Sequence, residues 1–149
     1  MRDERGFTLI ELLVVFAILA VVVGLVPMAY ERGREASQYR DTVRGVMSQL
    51  RSARLLAMAE GRETRFTLDL RNRRYGVDGA PAKELPEPLQ LRVTVADREI
   101  DADGQASIRF LPSGGATGGS IEVLRAPGSG TRLRVDWFSG RVSQEPLLP

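Results

Sequence analysis

The 149-residue chain contains no cysteine and no histidine. These absences exclude a thiol nucleophile, a disulfide, an imidazole base, the common structural zinc sets and a Ser-His-Asp triad. Much of hydrolytic chemistry is excluded with them. Lysine is nearly missing too: Lys83 is the only one, so the basic side of the balance is arginine. Lys and Arg number 21 against 19 Asp and Glu, a formal charge of +2 with an isoelectric point near 9.5. A basic isoelectric point raises nucleic-acid binding as a question. Acids are interspersed with the bases throughout (Asp3, Glu4, Glu31, Glu35, Asp41, Glu60), and the mixing favours solvated surface over a phosphate-binding stripe.

What the sequence does have is a long apolar run at its start. Phe7 to Val26, FTLIELLVVFAILAVVVGLV, carries one charged residue, Glu11. As a helix it covers roughly 30 Å, one bilayer core. In lipid a single segment satisfies its own backbone only as a helix, so environment overrides the poor aqueous helix propensity of the valines. The start MRDERG, with Arg2 and Arg5 offset by Asp3 and Glu4, makes a poor secretory leader. A plain anchor would avoid Glu11, since an acid in an apolar span costs on the order of 2–3 kcal/mol at mid-membrane, less towards an end. A chain of this length also lacks a core large enough to surround an all-apolar helix.

Glu11 therefore needs a cationic partner. Cutting between Gly6 and Phe7 would create one, an α-amino group four residues before the acid with an intrinsic pKa of about 8. The amine lies about one turn from Glu11 in its own helix, and between parallel, axially staggered helices it can reach the neighbour's carboxylate. The latter pairing gives a rule for stacking subunits within a membrane.

Gly6, Phe7, Thr8, Leu9, Ile10, Glu11, Leu12 and Leu13 resemble the G-F-T-L-I-E-L-L signature of type IV prepilins and type II secretion pseudopilins. The resemblance implies that a prepilin peptidase cuts after Gly6, that the new amine of Phe7 is methylated, and that Glu11 is the acid used in assembly. The leader is short, as in that family, and less positive than usual.

Beyond the run, Gly24 and Pro27 predict a bend near the membrane surface, because proline deletes a helix hydrogen bond. The helix is expected to resume from about Met28 to Glu60. Val43, Val46, Met47, Leu50, Ala53, Ala57 and Met58 recur at steps of three and four and read as its packing face, with Gly61 as the stop. After Gly61 the period becomes two. Thr64, Phe66, Leu68 and Leu70 alternate with polar residues, as do Leu89, Leu91, Val93 and Val95. Further strands are expected at Tyr75–Val77, Ser107–Phe110, Ser120–Arg125 and Thr131–Trp137, with Val142 in a short return. Turn residues at Asn72, Asp78-Gly79, Asp103-Gly104, Pro127-Gly128 and Ser139-Gly140 separate them. Residues 79–88 read as a loop and 145–149 as loose. The fold class is α+β: a long N-terminal helix, one half transmembrane and the other amphipathic, packed on an antiparallel β-sheet domain.

A second resemblance lies at the other end. Phe110, Pro112, Gly114, Gly118 and Gly119 resemble the F-x-P-x-G-x-x-x-G-G signature of the H-type (GspH/FimT) minor pseudopilins, and Arg134 to Val142 resembles that family's terminal strand and G-R-V turn. From the residues alone, the 114–119 glycines read as a mobile hairpin loop needing positive φ; no helix follows to make a phosphate loop.

Two smaller groups read blandly. Asp97, Asp101, Asp103 and Gly104 resemble the start of a calcium loop, but position twelve is Pro112 where a glutamate is required. Arg71, Arg73 and Arg74 form a basic tip that is better read as a solubilising hairpin end than as a phosphate site.

Together these readings divide the chain into a leader (1–6), a transmembrane and assembly helix (7–29) and a periplasmic head (30–149). The resemblances imply a minor pseudopilin at or near the tip of a type II secretion pseudopilus, in the bacterial inner membrane. It would be single-pass, with the C-terminal domain in the periplasm, and would support filament initiation and export of folded proteins. Expected partners are the other minor pseudopilins, the major pseudopilin, the prepilin peptidase, the inner-membrane assembly platform and the lipid bilayer. No catalytic constellation, metal set or cofactor motif occurs at a recognisable spacing, so no enzymatic role is expected. The alternative is a FimT-like minor pilin that primes a type IV pilus or takes up DNA. Arg141 as the lone arginine after Gly140 disfavours nucleic acid as a partner.

Overall fold

The computed structural model describes residues 8–95, 104–125 and 128–148. One helix, α1 (Leu9–Glu60), is followed by eight strands: β1 (Thr64–Asp69), β2 (Arg74–Val77), β3 (Lys83–Glu84), β4 (Gln90–Thr94), β5 (Gln105–Phe110), β6 (Gly119–Leu124), β7 (Gly130–Val135) and β8 (Val142–Leu147). The chain divides into two compact units, one ending at Ser37 and the other beginning at Gln38.

In the first unit α1 opens at Thr8, whose Oγ1 accepts a hydrogen bond from the Glu11 backbone N–H at 3.3 Å. This satisfies one of the amides that a helix start leaves unpaired. Every side chain from Thr8 to Gly24 is exposed, the apolar ones included. The expected bend at Gly24 and Pro27 does not interrupt the helix, which runs unbroken through both. Losing one backbone hydrogen bond at proline leaves the bonds of the adjoining turns to carry the helix past it. No helix among the described residues is long and apolar enough to cross a membrane. The described side chains of the apolar run stop at Gly24, short of the Val26 that ends it in sequence.

In the second unit the C-terminal part of α1 covers antiparallel sheet, as its periodicity predicts. Val43, Val46, Leu50, Ala53 and Ala57, spaced alternately by three and four, are buried, and Met47 packs beside them. Met58, expected in that face, is 47% exposed. The strands form two four-stranded sheets, ordered β3-β2-β1-β5 and β4-β6-β7-β8. Their registers align the core: Val77, Phe66 and Ile108 lie in one cross-strand row, Tyr75, Leu68 and Ala106 in the next. In the second sheet Val93, Ile121 and Leu133 form the matching row. Apart from Ala106, these rows and the helix stripe make one hydrophobic cluster.

The opposite face of the second sheet is charged in alternation. Arg92, Glu122, Arg132 and Glu145 stand side by side on β4, β6, β7 and β8. Glu122 is buried between Arg132, at 2.8 Å, and Arg92, at 3.2 Å. Two ties link α1 to the β6–β7 end: Tyr39 Oη and Thr131 Oγ1 are 2.6 Å apart, and the Arg125 guanidinium lies 4.4 Å from the centre of the Tyr39 ring.

Other differences from the periodic reading are local. Leu70 and Trp137 fall in turns and are exposed. Residues 145–147 belong to β8, paired with Gly130, Thr131 and Arg132, instead of being loose. Within the 79–88 loop, Lys83 and Glu84 form the short β3 against β2.

Leu50 is fully buried at the centre of the stripe, so Leu50→Ala should lower unfolding free energy by about 2–5 kcal/mol in a urea titration. Burial pushes the Tyr75 phenol above its ordinary pKa of 10.0. Unfolded chains then ionise first, so Tyr75's contribution is intact below about pH 10 and is lost as pH rises towards the folded-state value. Thermal melts of Tyr75→Phe should lack this part of the alkaline decline.

Candidate functional site

The β5–β6 connection carries the chain from the first sheet to the second, and it holds most of the glycine-rich segment. Gly114, Gly118 and Gly119 have φ of 90°, 77° and 140°, a region costly for side-chain-bearing residues. The hairpin and the positive φ expected of these glycines are present, Phe110 and Ala116 forming an antiparallel bridge, but the segment is packed instead of hanging free. Gly114, Gly115, Ala116 and Gly118 are buried, and the backbone is pinned along its length. Leu111 N–H donates to Gly115 O at 2.9 Å, Thr117 N–H to Arg109 O at 2.8 Å and Ala116 N–H to Trp137 O at 2.9 Å. Burial without these bonds would leave backbone polar groups unsatisfied.

The Ala116 bond reaches the β7–β8 turn, the second segment singled out at the C-terminal end. Helix α1 joins them: Arg54 Nε donates to Gly114 O at 3.0 Å. A side chain on Gly140 would run into that same carbonyl and into Arg54. One on Gly118 would lie 3.0 Å from Trp137 Cβ, and one on Gly115 3.1 Å from Phe138 O. Connection and turn thus meet at backbone distance, which only glycine permits, and the helix reaches them through the Arg54 side chain.

Two turns of the head, set side by side, isolate why Gly140 is glycine. The β1–β2 and β7–β8 turns are built alike. Asp69 accepts from Asn72 N–H at 2.9 Å, and Asp136 from Ser139 N–H at 2.8 Å. Each turn then places its next residue at positive φ, Arg73 at 53° and Gly140 at 62°. Arg73 keeps a side chain there, and its guanidinium donates to Leu89 O at 2.9 Å and Pro86 O at 3.4 Å. Gly140 has no such room. In the second turn the Ser139 hydroxyl and then the Ser139 amide hold the Asp136 carboxyl below its usual pKa of 3.8. The turn carries Trp137 and Phe138 outward, 69% and 78% exposed, with ring centres 5.7 Å apart and the rings edge to face.

The residues expected to matter divide accordingly. Glu11 sits in the first turn of α1, exposed and without an ion-pair partner among the described residues. Gly6, Phe7, Asp97, Asp101 and Asp103 lie outside the described residues. In the basic tip, Arg73 secures the 86–89 segment, and Arg74 pairs with Glu84 at 3.7 Å. Sequence reasoning missed Arg54, one more charge on a mixed helix, and Thr8, which the T-x-x-E spacing to Glu11 signals as a cap.

An exposed apolar helix start and a helix-on-sheet head define a pilin-like protein. Residues 1–27 match the prokaryotic N-terminal methylation motif, and residues 42–140 match the family described as type II transport protein GspH. The chain is 33% identical over 146 residues to type II secretion system protein H of Xanthomonas campestris pv. campestris, covering 98% of this chain and 86% of that protein. Two structures of the minor pseudopilin EpsH from the type 2 secretion system of Vibrio cholerae share the fold. One has a TM-score of 0.56 at 15% identity over 75% of this chain and 98% of that one; the other has 0.56 at 17% over 76% and 95%. The chain belongs to the GspH family of type II transport proteins.

Gly140→Ala combines positive-φ strain with overlap on Gly114 and Arg54, so it should cost about 2–4 kcal/mol of unfolding free energy. At Gly79, φ is 81° but nothing lies within 4 Å of the added methyl. Gly79→Ala should therefore cost only about 1–2 kcal/mol in parallel denaturant titrations.

Proposed function

We propose that the chain is made as a precursor with residues 1–6 as its leader. It is cut between Gly6 and Phe7 by a prepilin peptidase and methylated on the Phe7 amine. Residues 7–29 then hold it in the inner membrane with residues 30–149 in the periplasm. The observation that carries this reading is the union, in one chain, of the N-terminal methylation motif over 1–27 and the GspH match over 42–140.

Assembly follows from the charge left in the apolar run. Before cutting, no basic residue lies within four positions of Glu11 in sequence; afterwards the Phe7 amine of a neighbouring, staggered subunit meets it. Exposed apolar side chains from Leu9 to Val23 support this role, since lipid covers them before assembly and parallel helices cover them afterwards. The head then stands at or near the pseudopilus tip beside the other minor pseudopilins, above the major pseudopilin. It helps the inner-membrane platform start the filament that drives folded proteins across the outer membrane. This role is structural: the chain is the peptidase's substrate and breaks no bond itself.

Mass spectrometry of the protein from cells with the peptidase should find a species beginning at methylated Phe7, and from cells lacking it a species beginning at Met1. A Met1 terminus in both would overturn the reading. Glu11→Val should reduce assembly and secretion at least tenfold, as loss of a charged hydrogen bond of about 1.5–3 kcal/mol implies.

A further inference from the structure

The Trp137–Phe138 pair is expensive to display and serves no part of the core. Its two rings are the exposed aromatics among the described residues of the head, on a turn whose backbone is fixed at both ends: Asp136 N–H donates to Arg141 O at 2.9 Å, and Gly140 N–H to Asp136 O at 2.8 Å. Rigid exposed aromatics lose little entropy when covered and are the residues that anchor protein interfaces. Beside Trp137 lies an open groove of about 480 Å³, its lining including Thr94, Gly118, Ser120, Arg132 and Arg134.

The charges around the pair set what can cover it. Arg132 is taken up by Glu122. Arg54, Arg134 and Arg141 make no ion pair among the described residues. The one acid among the described residues 134–141, Asp136, is engaged by Ser139, with Arg134 adding a smaller pull. The exposed Arg134 and Arg141 flank the turn in sequence, and two arginines against one carboxylate over residues 134–141 leave the turn that carries the apolar pair net positive.

We propose that this surface docks an acidic segment of a partner protein, an apolar side chain of that segment packing on Trp137 and Phe138 while its carboxylates meet Arg134 and Arg141. A second copy of this chain would bring like rims together, which interfaces select against. Nucleic acid fits less well, because the rings pack on each other instead of standing apart for base stacking, and Asp136 lies among the arginines. The pseudopilin reading enters only in saying where the partner is met.

The test replaces Phe138 with p-benzoylphenylalanine in the full chain, in cells that secrete, and maps the photoproduct by mass spectrometry. The expected product joins residue 138 to a partner segment carrying Asp or Glu. Arg134→Glu with Arg141→Glu should lower its yield on the order of tenfold, and reversing the captured acids to Arg should restore it. Arg134→Gln with Arg141→Gln should give an intermediate loss; trypsin resistance and the melting midpoint check that each variant is folded. A product with nucleic acid, lipid, a second copy or a basic or uncharged segment overturns the proposal. So does no product in secreting cells, or a yield indifferent to charge reversal. A product with an acidic segment of a protein outside the secretion apparatus keeps this surface and counts against the pseudopilus role. Absence of the product together with normal secretion, lost on Glu11→Val, does the reverse.

Discussion

The head depends on one apolar stripe of α1. Among the described residues the two sheets are separate ladders, and the chain crosses between them three times, before β4, before β5 and before β6. Val43, Val46, Leu50, Ala53 and Ala57 lie in the same cluster as the inner rows of both sheets. The two alanines have little side chain between backbone and sheet, and at this end of the helix Arg54 reaches the Gly114 carbonyl. Apolar burial supplies the attraction, and the few polar ties fix position within it.

The junction of Arg54, Gly114 and Gly140 shows how that fixing works. Two turns of one design occur in the head, and only the turn that approaches another backbone requires glycine at its positive-φ residue. At the other, an arginine accepts the same backbone strain and its side chain binds two carbonyls of the 86–89 segment. The glycine requirement is thus a property of the neighbour, Gly114 O, more than of the turn. By the same token, the aromatic pair stands out at a defined place because the turn beneath it is fixed.

The two ends of the molecule solve opposite problems. In the head, charge is kept outside or compensated, as Glu122 is between two arginines. At the start of α1 the apolar residues are outside and the acid stands among them. Such a surface is stable only where something apolar covers it.

Periodicity made much of the fold legible. The stripe from Val43 to Ala57, the alternation from Thr64 to Leu68 and the turn at Ser139-Gly140 each follow from local rules of helix, strand and hairpin. Thr8 to Leu13 likewise announces its family, because the chemistry of that motif is contiguous along the chain. Local rules do not report distance between segments. They left open that the strands divide between two sheets, gave a loose end where β8 pairs with β7, and did not foretell that Gly114, Gly115, Ala116 and Gly118 are buried. By itself, then, the sequence determined which segments become helix and strand and where the lone acid sits among apolar residues, since both are written in neighbouring side chains. Only the tertiary structure decided that Arg54, Gly114 and Gly140 meet, and that Trp137 and Phe138 remain outside the core. These are contacts between residues tens of positions apart, and their energy exists only once the core has brought those residues together.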